Sequence, residues 1–345
     1  MGIRRNIIIA IISGILLFSI LFISIFNNNS IEKKDPIIPA VNIVYITDDN
    51  YVTYMRTSIR SIIANKDPRR LVNIYVLGLN INEKNIEKIK KEQKKHTNIH
   101  IIPIDASLIK DFTSRANLAI TVSRADNIKF FLASILKDLE KAIYLDCDTI
   151  VLKDLSNLYF TELNDNYVGA TDDWQSSWPW PSHERYFNNG VMLLNLKKMR
   201  EDDIESKLIN FKKTDKINRF MTQDAFNYVM KGKVLYIPLT YDTFSGEYDS
   251  VYLVLSKINI ISKCHFNFYL YPTNGKEYQK NVAIIHYCGY FNRKPWQDIN
   301  FDRKSNRIWY KYAPIDFWEQ CLQGKCRPEY YDKKLELFEE ELRKK

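Results

Sequence analysis

At 345 residues and 46% hydrophobic, the chain can bury a large core and is neither a fibrous nor a disordered protein. Its formal charge of +9 comes from lysines scattered over helix-like stretches rather than gathered into a stripe, so no nucleic-acid partner is read from it. Glycines form no phosphate loop and cysteines no zinc-type spacing, which excludes a Walker ATPase and a zinc protein.

Residues 1–6 are a short tail carrying Arg4 and Arg5, and residues 7–26 hold no charge. That run is long enough to cross a hydrocarbon core of roughly 30 Å as a helix. No small-residue cleavage site follows, so it reads as an uncleaved transmembrane signal-anchor with the N-terminus in the cytosol. Residues 27–40, with Pro36 and Pro39, make a linker short enough to keep the globular part near the membrane.

From Val41 onward, β-branched runs alternate with helical stretches. Strands are expected at 41–47, 71–79 and 100–105, and helices at 51–65 and 82–95. This alternation predicts an α/β sheet with helices on both faces. A helix over 123–137 leads into a strand ending at Asp146, and strand-like runs follow at 167–170 and 187–194. Residues 311–345 read as a charged helical tail behind a domain spanning 41–310, with Cys321 and Cys326 close enough in sequence to leave their pairing open.

Residues 142–150, Ala-Ile-Tyr-Leu-Asp-Cys-Asp-Thr-Ile, carry the strongest chemical signal. Side chains alternate along a strand, so Asp146 and Asp148 are expected on one side, repelling each other unless a divalent ion or a shared proton intervenes. An Asp-x-Asp triplet is more often a turn cap. Here Ile143, Leu145, Ile150 and Leu152 flank it, which argues against a solvated turn. Hard oxygen ligands suit magnesium or manganese, ions that usually accompany a phosphate. Ligands of open α/β sheets sit beyond the carboxyl ends of strands, where Asp48, Asp49, Asn50, Asp146 and Asp148 all fall.

Four segments in order resemble the family-8 glycosyltransferases, retaining enzymes that include lipopolysaccharide galactosyl- and glucosyltransferases and glycogenin. They are Ile-Thr-Asp-Asp-Asn-Tyr at 46–51, Tyr-Leu-Asp-Cys-Asp at 144–148, Tyr-Phe-Asn-Asn-Gly-Val-Met-Leu-Leu-Asn-Leu at 186–196, and His-Tyr-Cys-Gly with Lys-Pro-Trp between 286 and 296. The resemblance covers roughly residues 41–296. It implies a GT-A type nucleotide-diphospho-sugar transferase fold, with a Rossmann-like mixed sheet, behind the N-terminal helix. It also implies a UDP-sugar donor and a glycan, glycolipid or glycoprotein acceptor.

By the same resemblance, Asp146, Asp148 and His286 hold Mn2+, with Mg2+ the alternative; taken alone, His286 reads as a core histidine. Thr47, Asp48, Asn50, Tyr51, Lys129, Cys147, Asn188, Gly289 and Lys294 join the two aspartates around the nucleotide sugar. Tyr51 can stack on a uracil, and Lys294 can reach a diphosphate as a point charge. Gln223 and Asp224 align with the family's acidic segment near the donor sugar, although Thr222 stands where an aspartate is usual and reads equally well as a helix N-cap. An amide is a poor nucleophile, which favours same-face departure and attack, with Gln223 steadying a cationic sugar. Lys129, six residues after Ser123, replaces the family's arginine and lacks its bidentate fork.

Asp172, Asp173 and Trp174 combine carboxylates with an aromatic face and read as the acceptor wall. Together these residues describe a membrane-anchored, metal-dependent hexosyltransferase, galactose or glucose favoured, with a lumenal domain in a Golgi-like setting or a cytoplasm-facing one in a bacterium. A catalytically degenerate sugar-nucleotide binder and a membrane-tethered metal phosphohydrolase are the other functions such residues allow.

Overall fold

Three near-continuous apolar runs, Val41–Asp48 (β1), Val72–Leu79 (β2) and Thr97–Ile104 (β3), pair in parallel and are linked by helices Val52–Asn65 and Glu83–Lys90. Such runs mark strands covered on both faces, as β1 and most of β2 are, while β3 is an edge strand that exposes Asn98, His100 and Pro103. Val44 and Ile46 of β1 pack into one core cluster, while Ile43 and Tyr45 pack into another on the opposite face. The computed structural model describes residues 38–112, 123–173, 185–214, 220–249, 275–288, 294–297 and 299–323. The chain divides into two units, 1–39 and 40–345, and the strands and helices of the described residues belong to the second.

Beyond β1 the sheet becomes mixed. β4 (Lys141–Leu145) is parallel to β1, and β7 (Phe187–Asn195) runs antiparallel between β4 and β6 (Val168–Asp172). β8 (Val234–Tyr236) closes the order β3-β2-β1-β4-β7-β6-β8. A smaller sheet has β10 (Ile284–His286) at its centre, antiparallel to β5 (Thr149–Val151) and parallel to β9 (Thr243–Phe244). β4 and β5 therefore belong to different sheets, and residues 146–148 cross between them.

The expected helix over 123–137 is instead a 3-10 helix, Arg124–Phe131, followed by one short α-helical turn, Leu132–Ile135. A 3-10 helix has about three residues per turn, so Ser123, Asp126 and Lys129 fall on one face. That spacing lets Lys129 pair with Asp126 at 2.8 Å.

The expected domain end near residue 310 is also corrected. Helices Lys304–Tyr312 and Ile315–Leu322 bury Trp309, Tyr312, Phe317, Trp318 and Cys321 against Ile285 and Tyr287. The amphipathic pattern of these helices is a core face rather than a solvated tail. They are further held by Arg56, whose Nη2 lies 2.8 Å from Glu92 Oε1 and whose Nη1 lies 2.8 Å from Asp316 Oδ1. Lys88 reaches the other Asp316 oxygen at 2.7 Å. Burial works against the Asp316 charge, but Lys88 and Arg56 outweigh it and hold the carboxyl below its usual range.

The apolar run at 7–26 lies outside the described residues, as do residues 27–37 and the chain after 323. Among the described residues no helix is long and apolar enough to cross a membrane.

Candidate functional site

Asp146, Asp148 and His286 converge as the sequence predicts, but for a different reason. β4 stops at Leu145, so the two carboxylates are brought together by the turn into β5, not by alternation along a strand. The backbone of that turn is held by Asp146 N donating to Gly190 O at 2.7 Å and by Thr149 Oγ1 donating to Asp146 O at 2.9 Å. His286 pairs with Thr149 across the small sheet. Its Nε2 lies 3.3 Å from Asp148 Oδ1 and 3.7 Å from Asp146 Oδ2. One ligand atom from each of the three residues falls within 4.8 Å of the others.

Nδ1 of His286 pairs with Asp242 Oδ1 at 2.9 Å, and Thr171 Oγ1 donates to the other Asp242 oxygen at 3.2 Å. Nε2 is buried and has no hydrogen-bond partner among the described residues. Such an orphan costs about 1–3 kcal/mol unless something outside the chain completes it. A carboxylate on Nδ1 with Nε2 facing two further carboxylates is the arrangement that presents an imidazole to a divalent ion, so these residues fit such an ion. Burial pushes His286 down, but Cys288, Asp242 and Asp148 outweigh it and raise it well above the usual range. Asp242 carried no sequence signal and was missed. Asp242→Asn is expected to weaken divalent-metal binding about 10–100-fold, measured by titration with Mn2+.

Gly190 on β7 leaves the space these groups occupy. A Cβ there would sit 2.7 Å from Asp146 Oδ2 and 3.0 Å from Asn188 Oδ1, and would overlap His286 Cε1.

The remaining oxygens of the two aspartates meet cations. Asp146 Oδ1 accepts from Tyr144 OH at 2.6 Å and lies 3.1 Å from Lys129 Nζ. Lys129 is 2% exposed. Burial disfavours its charge, but Asp126 and Asp146 outweigh burial and raise it. The other oxygen of Asp148 contacts Lys294 Nζ. Burial opposes the Asp148 charge, yet Lys294 and His286 hold the carboxyl well below its usual range.

On the nucleotide side, Asp48 is both cap and site residue. Its Oδ1 accepts from Asn50 N at 3.0 Å and Tyr51 N at 3.2 Å, and its Oδ2 accepts from Ser123 Oγ at 2.5 Å. Asn50 is exposed, and Thr47 Oγ1 turns back to Asp48 O at 3.0 Å. Tyr51 stands edge-on to Tyr54 and Trp296, which stack on each other with centroids 3.9 Å apart. Cys147 does not face the carboxylates; its Sγ donates to Ile46 O at 3.1 Å, and burial pushes the thiol up. Gly289 and Trp174 lie outside the described residues.

On the sugar side, Asp173 Oδ2 accepts from Gln223 Nε2 at 3.0 Å and Asn188 Nδ2 at 3.3 Å. Gln223 Oε1 accepts from Asn189 N at 3.3 Å. Asp224 sits deeper, its oxygens accepting from Tyr186 OH at 2.8 Å and Phe220 N at 2.7 Å, so it anchors the start of helix Thr222–Val229. Thr222 does not cap that helix. Its hydroxyl donates to Asp126 at 2.6 Å and accepts from Asn189 Nδ2 at 2.9 Å. Met221, just before it, has φ 55°, a conformation that costs a bulky residue about 1–3 kcal/mol and sets the direction of the helix. Asp172 pairs with Arg185 at 2.9 Å, and that guanidinium lies over Tyr236 at 3.4 Å. Lys129 and Thr222, two residues that depart from the family pattern, thus touch the same side chain, Asp126.

Known proteins resemble this chain in sequence and in fold. The chain is 26% identical over 303 residues to lipopolysaccharide 1,2-glucosyltransferase of Escherichia coli, covering 83% of this chain and 78% of that protein. It is 25% identical over 284 residues to general stress protein A of Bacillus subtilis, covering 76% and 89%. Its fold matches the galactosyltransferase LgtC, solved with donor and acceptor sugar analogs, at a TM-score of 0.65 and 24% identity over 81% of this chain and all of that one. The mixed sheet is therefore a GT-A-like α/β fold. Residues 42–300 match the model of glycosyl transferase family 8, and the chain belongs to that family of glycosyltransferases.

Proposed function

We propose that the chain is a metal-dependent retaining hexosyltransferase that moves galactose or glucose from a UDP-sugar to a glycan, glycolipid or glycoprotein acceptor. The observation that carries this reading is the unpartnered Nε2 of His286 facing Asp146 and Asp148. The kinship with a lipopolysaccharide glucosyltransferase supports the choice of hexose and of a membrane-associated acceptor. Residues 7–26 would tether the domain formed by residues 41–323 on the side of the membrane where nucleotide sugars are supplied.

A divalent ion held by Asp146, Asp148 and His286, Mn2+ preferred over Mg2+ because an imidazole joins the set, would neutralise charge growing on the leaving diphosphate. Lys294 adds a point charge at the same place. Tyr51, backed by Tyr54 and Trp296, offers a ring to the uracil. Asn188 and Gln223, both oriented by Asp173, bound the sugar, and Asp172 with Arg185 begins the acceptor side. Gln223 has no charge to form a covalent sugar ester, so departure and attack take place on one face while its amide oxygen steadies positive charge on the sugar.

The test is release of UDP by the full chain in mild detergent from a panel of nucleotide sugars, with Mn2+, with Mg2+ and without either. Release from UDP-galactose or UDP-glucose is expected with metal, and a loss of about 10²-fold or more in the Asp146→Ala, Asp148→Ala variant. Binding of a donor without turnover would point to a degenerate member, and no binding at all would reject the reading.

A further inference from the structure

Below the metal-site carboxylates, the polar side chains form a continuous path. Ser123, Asp126 and Lys129 share one face of the 3-10 helix Arg124–Phe131, and each reaches a different element. Lys129 Nζ bridges Asp126 Oδ1 at 2.8 Å and Asp146 Oδ1 at 3.1 Å. The other Asp126 oxygen takes the Thr222 hydroxyl at 2.6 Å. Thr222 accepts from Asn189 Nδ2 at 2.9 Å, and Asn189 N donates to Gln223 Oε1 at 3.3 Å. Lys129, Thr222 and Asn189 are 2%, 1% and 6% exposed. In such surroundings a fully satisfied network holds a single arrangement, because each broken link leaves a buried polar group without a partner.

We propose that Asp126 is a positioning residue for transfer. It joins Asp146, on the diphosphate side, to the helix that carries Gln223, on the sugar side. By holding Lys129 it aims the ammonium at Asp146 Oδ1. Tyr144 occupies that same oxygen, which leaves Oδ2 turned towards His286 and an ion. By accepting from Thr222 it fixes the first turn of helix Thr222–Val229 and with it the Gln223 amide. The inference rests on the reading of Asp146 as a metal ligand.

The test measures Mn2+ affinity by electron paramagnetic resonance on the full chain in detergent with UDP present, beside kcat and KM for the donor sugar. Asp126→Asn and Lys129→Met are each expected to weaken Mn2+ binding about tenfold. The sign for Lys129→Met discriminates: if Lys129 acted only as a competing positive charge, its removal would tighten Mn2+ binding, and the proposal would fail. Thr222→Val, which changes no charge, is expected to lower kcat about tenfold with KM unchanged, and Thr222→Ser to restore it. Variants that melt earlier yet keep wild-type Mn2+ affinity, kcat and KM would reduce Asp126 to a packing residue. Absence of Mn2+ binding in the wild-type chain would overturn the metal reading itself, and this inference with it.

Discussion

Gly190→Ala is expected to lower divalent-metal affinity about 100-fold and to take UDP release with it, while the fold survives. The glycine lies in extended strand without a positive φ, so the cause is space and not backbone freedom. An added Cβ would come within 2.7 Å of Asp146 Oδ2 and overlap His286 Cε1. Neither neighbour can retreat easily. The imidazole is pinned through Nδ1 to Asp242 at 2.9 Å, and its strand is paired on both sides. Asp146 is tied to Gly190 itself by a 2.7 Å backbone hydrogen bond. A methyl group at this point would push apart Asp146 and His286, two of the residues proposed to hold the ion. Mn2+ titration with circular dichroism as the folding control checks it; normal Mn2+ binding by the variant would mean that the three side chains do not form the metal site.

Arg56→Met is expected to cost about 3–5 kcal/mol of stability, because it strands Glu92 as an unpaired buried carboxylate. Glu92 is 6% exposed and takes two guanidinium nitrogens, at 3.0 and 2.8 Å. Asp316 keeps Lys88, so Glu92 carries most of the loss. Adding Glu92→Leu removes the stranded charge and should recover most of the deficit, a result readable from urea midpoints of the single and double variants. If the single variant loses less than about 1 kcal/mol, the contact is no stronger than a solvated ion pair. The pH dependence has a definite sign. The depressed Asp316 carboxyl contributes fully above the ordinary aspartate pKa, and its contribution fades as pH falls through the lower folded value.

β1 and β2 were legible because they are largely covered on both faces and so read as near-continuous apolar runs, whereas β3 lies at the sheet edge with Asn98, His100 and Pro103 exposed. β1 and β2 fall within a residue or so of expectation, whereas β3 begins at Thr97, ahead of the expected start at residue 100. The turn between β1 and helix Val52–Asn65 was legible through Asp48, which caps the 3-10 turn Asp49–Tyr51 ahead of that helix and is a site residue as well. The 3-10 helix Arg124–Phe131 was not, since Ser123, Asp126 and Lys129 are tied to Asp48, Thr222 and Asp146, which other segments of the chain supply. The C-terminal helices misled for a related reason. The charge-rich residues 324–345 that follow colour the reading of this region, while Trp309, Phe317 and Trp318 pack against Ile285 and Tyr287, more than twenty residues earlier in the chain.

At the site, the residue types were visible and their relations were not. Asp146, Asp148 and His286 could be named from their motifs, because two carboxylates beside apolar runs and an imidazole at the end of another are chemically conspicuous. Asp242, Asp126 and Gly190 carry no local signal; each matters through a partner that the chain meets only when two sheets and a 3-10 helix come together. By itself, then, the sequence determined the parallel half of the sheet, the apolar N-terminal run and the chemical character of the ligand set, since these depend on local period and side-chain chemistry. The tertiary structure decided which oxygen of each aspartate is free, which nitrogen of His286 faces them and how the metal-site turn connects to Gln223, since these depend on distances between segments far apart in the chain.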